Sequence, residues 1–398
     1  MITTDAVASL LVTGLLLLVI LLVKVFLHGR WLPPMIVYIV IGMLVGTGLH
    51  GEWLPVEKAL PGLRLLAEAG LVMLLFKAGL DADLKDLGRQ LPNASWIWFW
   101  NVLVSAVAGF VAARYWVGLD QLSSVFIAVA LTATSVGVTV SLWDEAGQLK
   151  THEGSLLLDV AELDDLSTIC LVAVLVAVAP LVATGEDWVN AGLAAAIGQV
   201  LLALAVFLAL VAAFSLLLEP RLTAFFERHT INHESVIFVL AVSFIIASLA
   251  EFAGLSLAIG AFLAGLAFSR DDRMTQERPV IRGLTDFLTP FFFIGLGLLV
   301  KMSAFIVALW PAALLLVAAI VGKLVGVGVP AWPRLGPGMA LLLAVSMIPR
   351  SEIAMIVMQR GLQVGVSERA FAAMVIISLV TVLVAVLAVP WLLRRKAG

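Results

Sequence analysis

Apolar stretches long enough to cross a bilayer recur along this chain with few interruptions. A spanning helix takes about 20 consecutive apolar residues, and on that measure the chain holds about thirteen. They centre near Leu17, Gly42, Gly70, Ala106, Thr132, Leu166, Ala205, Val242, Phe262, Phe292, Leu316, Ser346 and Leu379. Composition agrees. Of the 398 residues, 62% are hydrophobic and 13% charged, where a soluble domain carries about 25% charged residues. The expected fold class is an all-α polytopic membrane protein, one transmembrane unit over residues 1–398 with no soluble domain. The longest polar connections run from Glu219 to Glu234 and from Arg270 to Arg282. A net charge of −3 gives no footprint for nucleic acid. The one cysteine, Cys170, lies in an apolar run and reads as a small buried hydrophobe.

The ends of the chain carry expectations of their own. Met1–Ala6 holds no positive charge, and no small-residue cleavage site follows the run from Val7 to Leu27, so this run reads as a retained first span. The tail stops at Arg394-Arg395-Lys396-Ala397-Gly398, so regulation by a nucleotide-binding domain after the last span is not expected. Positive charge gives the orientation. With the N-terminus outside, the inner connections and tail hold Arg30, Lys85, Arg89, Lys150, Arg221, Arg228, Arg270, Arg273, Arg278, Arg282, Arg334, Arg394, Arg395 and Lys396. The outer ones hold only Lys58, Arg64, Lys301, Arg360 and Arg369. This excess predicts a multi-pass protein of the inner (plasma) membrane, N-terminus outside and C-terminus cytoplasmic.

Chemistry enters at the sixth span, Gly154 to Pro180, which contains the adjacent acids Asp164 and Asp165. A carboxylate in hydrocarbon is costly and is kept mainly where it faces a bundle interior or a wet cavity, so its default reading is an ion or proton site. If the span enters the membrane near Glu153, Asp165 lies about twelve residues in, ~18 Å deep at ~1.5 Å per residue, near the middle of a ~30 Å core. The two acids differ by about 100° around the helix and so face different neighbours. Asp159, Glu162 and Asp165 share one stripe at i, i+3, i+6, which reads as an acidic path from the cytoplasm. The plainer alternative for Asp159 and Glu162 is a wet crevice or a local pairing.

Lys323 interrupts the apolar run from Pro311 to Trp332. A lysine buried there must be paired or neutral, and Asp164 is the best candidate partner. The alternative is snorkelling to an interface. Lys77, with Asp81 one turn on, is explained by snorkelling and a local ion pair. Glu68, deeper in the same span, has no assigned role.

Two spans are interrupted at their centres. The fifth carries Thr132, Thr134 and Ser135; the twelfth carries Pro349, Arg350, Ser351 and Glu352. Pro349 removes a donor and disfavours helix at Ile348. Discontinuous helices at corresponding positions of two repeats point to a transporter's binding site, and an odd offset in span number makes the two copies antiparallel. Broken ends would present N–H and C=O dipoles at the midplane, with Arg350 and Glu352 neutralising them. The alternative keeps the helix intact, with the threonines bonded back into it.

The segments Ala133–Leu149, Glu162–Asp165, Gly254–Ser269, Gly322–Gly326 and Pro349–Glu352, with Leu66–Leu84 as a third-span pattern, together resemble the monovalent cation:proton antiporter-2 family. The resemblance covers nearly the whole chain and is strongest to the short, electrogenic sodium/proton branch. It implies about thirteen transmembrane helices in NhaA/NapA-like inverted repeats with two crossing discontinuous helices. It also implies a homodimer built from a core part and a dimerisation or scaffold part. The core would include roughly 60–182 and 279–361, the scaffold roughly 6–50 and 190–270. By the same resemblance Asp165 binds Na⁺ or a proton, Asp164, Thr132, Thr134 and Ser135 complete the cation- and proton-binding set, the last three from the broken helix, and Asp164 pairs with Lys323 as its counter-ion. Arg350 and Glu352 match the second broken helix, with Ser351 where the family often has glycine. The glutathione-gated potassium branch carries Gln-Asp where this chain has Asp164-Asp165. Asp159 and Glu162 depart from the family, which usually has small or apolar residues there; the departure bears on ion selectivity and pH profile.

The resulting expectation is an electrogenic Na⁺(Li⁺)/H⁺ antiporter with no cofactor beyond the transported Na⁺ or K⁺ and H⁺. Its expected partners are membrane lipid and a second copy of itself. The rival within the fold is K⁺/H⁺ exchange. The rivals outside it are a gated cation channel lined by the acidic stripe, though nothing resembles a selectivity-filter loop, and a membrane sensor. No nucleophile–base set suggests an enzyme, and the five histidines have no metal spacing.

Overall fold

Hydrocarbon offers backbone N–H and C=O groups no partners, so a chain this apolar satisfies them internally as helix. The computed structural model describes residues 4–27, 34–48, 56–81, 84–149, 151–184, 191–229, 235–253, 255–269, 274–299, 302–350 and 352–397. Among them sixteen α-helices follow in order. They are α1 (Thr4–Leu27), α2 (Pro34–Gly48), α3 (Val56–Asp81), α4 (Leu84–Val111), α5 (Gln121–Ala130), α6 (Val136–Glu145), α7 (His152–Thr184) and α8 (Ala191–Ala213), then α9 (Glu219–His229), α10 (Ser235–Phe252), α11 (Leu257–Phe268), α12 (Met274–Leu298), α13 (Met302–Val307), α14 (Leu309–Ser346), α15 (Glu352–Gln363) and α16 (Glu368–Ala397). Single π-helical turns extend α4 over Ala112–Trp116 and α8 over Phe214–Leu218. No strand occurs among the described residues.

Each of the thirteen span centres falls in one of these helices or at a break between two. Seven helical stretches among the described residues are long and apolar enough to cross a membrane. The difference has physical causes. The span centred on Thr132 is split into α5 and α6, each 10 residues long. Helix α7 is 33 residues long but carries Glu153, Asp159, Glu162, Asp164 and Asp165. The spans centred on Leu316 and Ser346 are joined in α14, whose backbone turns at Gly336 (φ 74°, ψ 166°). That φ lies in the left-handed region, where glycine is at home.

The chain forms two compact units. One comprises 1–28, 34–83 and 191–299 and so holds α1–α3 and α8–α12. Its helices touch backbone to backbone. A Cβ on Gly42 of α2 would collide with the Ile294 carbonyl, and one on Gly297 of α12 with the Ile39 carbonyl. Gly79 of α3 and Gly265 of α11 stand in the same reciprocal relation to Phe262 and Phe76. Small residues permit this approach where lipid supplies no hydrophobic drive between helices.

The other unit comprises 29–33, 84–190 and 300–398, with α4–α7 and α13–α16. Here α14 lies on α4, with Gly326 against the Asn101 backbone and Gly322 against Ser105. An apolar cluster that includes Ile97, Leu157, Val160, Val327, Leu343 and Met347 fills the space around the polar residues described next.

Candidate functional site

The unit holding α4–α7 contains two helix breaks, and they meet. Between α5 and α6 the chain leaves helical geometry over Leu131–Ser135; between α14 and α15 it does so from Met347. Each break frees backbone groups that hydrocarbon could not satisfy, and the two breaks supply one another. The Ser135 N–H donates to the Pro349 carbonyl at 2.8 Å. The Thr139 hydroxyl donates to the Ser346 carbonyl at 2.7 Å, and the Trp143 indole N–H to the Ser346 hydroxyl at 2.9 Å. Thr132 bonds back to the Val129 carbonyl at 2.7 Å, as threonine does in helices, yet the helix does not continue through it.

Two cations sit at the carbonyl ends freed by the first break. Lys323, on α14, is fully buried, and all three of its protons are used. Nζ donates to the Thr132 carbonyl (2.7 Å), the Thr134 hydroxyl (2.8 Å) and Asp164 Oδ2 (2.9 Å). Arg350 is also fully buried. Its guanidinium donates to the Ala133 carbonyl and, at 3.4 Å, to the Ala319 carbonyl. Its backbone N–H donates to the Thr381 hydroxyl on α16 at 3.1 Å. Both cations thus face the negative end of α5, where such charge is favourable.

Asp164, on α7, is fully buried opposite Lys323. Besides the ammonium it accepts from the Thr134 hydroxyl at 2.9 Å. The Asn101 amide nitrogen, on α4, donates to Oδ1 at 2.7 Å and to Oδ2 at 2.6 Å. Thr168, one turn along α7, donates to the Asp164 carbonyl at 2.7 Å and pairs with the Thr132 hydroxyl at 3.0 Å. A buried ion pair offsets its desolvation only with such added hydrogen bonds.

Of the residues singled out from the sequence, Asp164, Lys323, Thr132, Thr134 and Arg350 come together here. Asp165 is half-buried on α7. Ser135 joins through its backbone; its buried hydroxyl makes no hydrogen bond among the described residues. Glu162 is half-buried and Asp159 buried on α7, outside the hydrogen bonds to Asp164. Glu352 begins α15, but its side chain, like the whole of Ser351, lies outside the described residues. Lys77 is half-buried on α3, and Glu68 and Asp81 are exposed there. The described residues hold no cluster of three His, Cys, Asp or Glu that could grip a metal.

Sequence reasoning missed Asn101, Thr168, Trp143 and Ser346. One signal existed for Asn101: it is an amide inside the apolar run from Ala94 to Trp116, with Ser105 one turn on. Nothing in the sequence tied it to Asp164, 63 positions away.

The profile of the family described as "Sodium/hydrogen exchanger, transmembrane" matches residues 14–395. The chain is 30% identical over 336 residues to the high-affinity Na(+)/H(+) antiporter NhaS3 of Synechocystis sp., covering 82% of this chain and 70% of that protein. It is 26% identical over 322 residues to the Na(+)/H(+)-K(+) antiporter GerN of Bacillus cereus, covering 80% of each. Its fold matches the sodium proton antiporter MjNhaP1 of Methanocaldococcus jannaschii at pH 8, with a TM-score of 0.74, 16% identity, and coverage of 99% and 100% of the two chains.

Proposed function

The chain belongs to the sodium/hydrogen exchanger family of integral, multi-pass transporters, and from that premise we propose that it exchanges Na⁺ (and Li⁺) for protons at Asp165. The observation that supports this assignment is the contrast between two neighbouring carboxylates. Asp164 is enclosed by Lys323, Asn101 and Thr134 with no exposure to solvent. Asp165, one residue and about 100° on, is half-buried.

Competition at one carboxylate gives exchange without further machinery. Release of Na⁺ lets Asp165 take a proton, and only a loaded site crosses the membrane. Arrival of the cation displaces Lys323 from Asp164 and releases a second proton from the ammonium, so each Na⁺ is exchanged for two protons and net charge moves. The Thr132 carbonyl and the hydroxyls of Thr134 and Ser135 line the same break and supply neutral oxygens, the ligands hard cations take. Arg350 and Glu352 offset the helix-end charges at the breaks. Asp159 and Glu162 form the cytoplasmic approach. The protein works as a homodimer in lipid, in the plasma membrane, N-terminus outside and C-terminus cytoplasmic. It needs no cofactor and performs no covalent chemistry.

A second reading, K⁺/H⁺ exchange on the same fold, is favoured by one observation: the name of the GerN relative includes K⁺. Proton flux in proteoliposomes under separate Na⁺, Li⁺ and K⁺ gradients, across a pH series, decides between them. Flux driven by Na⁺ and Li⁺ but not K⁺ supports the first reading; flux driven by K⁺ alone moves the protein to the second. A Na⁺-driven rate indifferent to membrane potential contradicts the two-proton stoichiometry.

A further inference from the structure

Helices α4 and α14 touch through small residues, and beside that contact they leave a groove. Gly322 lies against Ser105 and Ala108, and Gly326 against the Asn101 backbone. Leu103, Val107 and Val111, a turn apart on α4, form one wall of the groove; Val317 and Val321 of α14 form the other, and Trp116 closes one end. The groove holds about 510 Å³, its lining is apolar, and these six side chains are all exposed. We propose that it seats one acyl chain of an anionic phospholipid whose phosphate is held by Arg114. The inference is independent of which ion the protein moves.

Length and charge select the occupant. From Leu103 to Trp116 the helix advances about thirteen residues, ~20 Å at ~1.5 Å per residue, against ~15 Å for half of a ~30 Å hydrocarbon core. The groove is therefore one leaflet deep and ends at the headgroups. Tyr115 and Trp116 are exposed at that end, as aromatic side chains are at membrane interfaces, and the chain turns away at Gly118 (φ 73°). Arg114 is exposed at the same level. Its Nη1 donates to the Leu119 carbonyl at 3.0 Å, which holds the side chain at the helix end. A guanidinium has five N–H donors, and phosphate takes them in pairs. The neighbouring acid is Asp120, whose Oδ1 accepts from the Ser123 N–H at 2.8 Å as the N-cap of α5.

Contact with lipid alone does not make such a site. Lipid tails are as apolar as the helices, so entering the groove brings no hydrophobic gain. Retention needs packing on more than one side of the acyl chain, which a groove gives and a convex helix face does not, together with a partner for the headgroup. Leu18 on α1 supplies the contrast: it is 55% exposed, against 54% for Val107, and does not line this groove.

The experiment is native mass spectrometry of the purified full chain after exchange into phosphatidylglycerol or phosphatidylcholine of equal chain length. Wild type is expected to retain phosphatidylglycerol about tenfold better, the worth of one charge-assisted hydrogen bond. Arg114→Gln is expected to abolish that preference while both lipids still bind. Val107→Trp, which fills the groove, is expected to lose retention of both, and Leu18→Trp of neither. Should Val107→Trp not purify as a folded protein, Val321→Phe carries the same prediction. Equal retention of the two lipids by wild type, or a preference kept by Arg114→Gln, overturns the proposal. So does wild-type retention by the groove-filling variant, or an equal loss from Leu18→Trp.

Discussion

In the unit formed by 1–28, 34–83 and 191–299, helices meet where side chains are missing. Gly42 faces Gly297, and Gly79 and Gly265 each lie under a carbonyl of the opposite helix. In the unit holding 84–190 and 300–398, the closest contacts of that kind accompany something different: a fully buried lysine, arginine and aspartate, with threonine, serine, asparagine and tryptophan donors around them. Both solve the same problem, association of helices where lipid is as apolar as the helices are. The first solution is shape, and it asks little of the residues beyond smallness. The second is charge and hydrogen bonding; it requires broken helices, because only a break frees the carbonyls that Lys323 and Arg350 occupy. Shape packing tolerates no added atoms. Charge packing tolerates no missing partner.

The largest effect that would test this contrast is loss of one member of the buried pair. Asp164→Leu leaves Lys323 without its counter-charge and is expected to cost about 3–5 kcal/mol, seen as a large drop in thermal melting. Lys323→Met added to it removes the stranded charge and should recover most of that loss. A mild single variant, or a double variant no better than the single, would mean that charge does not hold this unit. Next comes Gly265→Ala in the other unit. Its Cβ collides with the Phe76 carbonyl, and overpacking costs about 1–3 kcal/mol. Because the change is one of shape, the apparent KM for Na⁺ should not move; a shift in KM would break the division between the units. Smaller still is Trp143→Phe, which deletes the bond to Ser346 and should lower stability by about 0.5–1.5 kcal/mol. Smallest is Leu218→Ala at the end of the π-helical turn after α8, where the side chain is 51% exposed. The expected change in melting is within about 0.5 kcal/mol; a larger loss would reveal a covered face.

The fold was legible because each span announces itself by length, and the breaks at Thr132 and Pro349 by polar residues in apolar runs. The division of α14 was legible as well: Pro333, Gly336 and Pro337 lie between the spans centred on Leu316 and Ser346, and the backbone leaves helical geometry at Gly336. Within the site, Asp164, Lys323 and Arg350 stand out because charge in hydrocarbon has few explanations. Asn101 and Ser346 do not, since one amide or hydroxyl can be satisfied by its own helix. Their partners lie 63 and 203 positions away, and such pairings follow from packing alone.

The central claim is that Asp165 carries the exchange while Asp164 holds the fold around it. The direct measurement is Na⁺-driven proton flux in proteoliposomes containing Asp165→Asn, with its thermal melting alongside. The account predicts a protein that melts close to wild type and moves no protons in response to Na⁺. Exchange retained by a folded Asp165→Asn protein would contradict it.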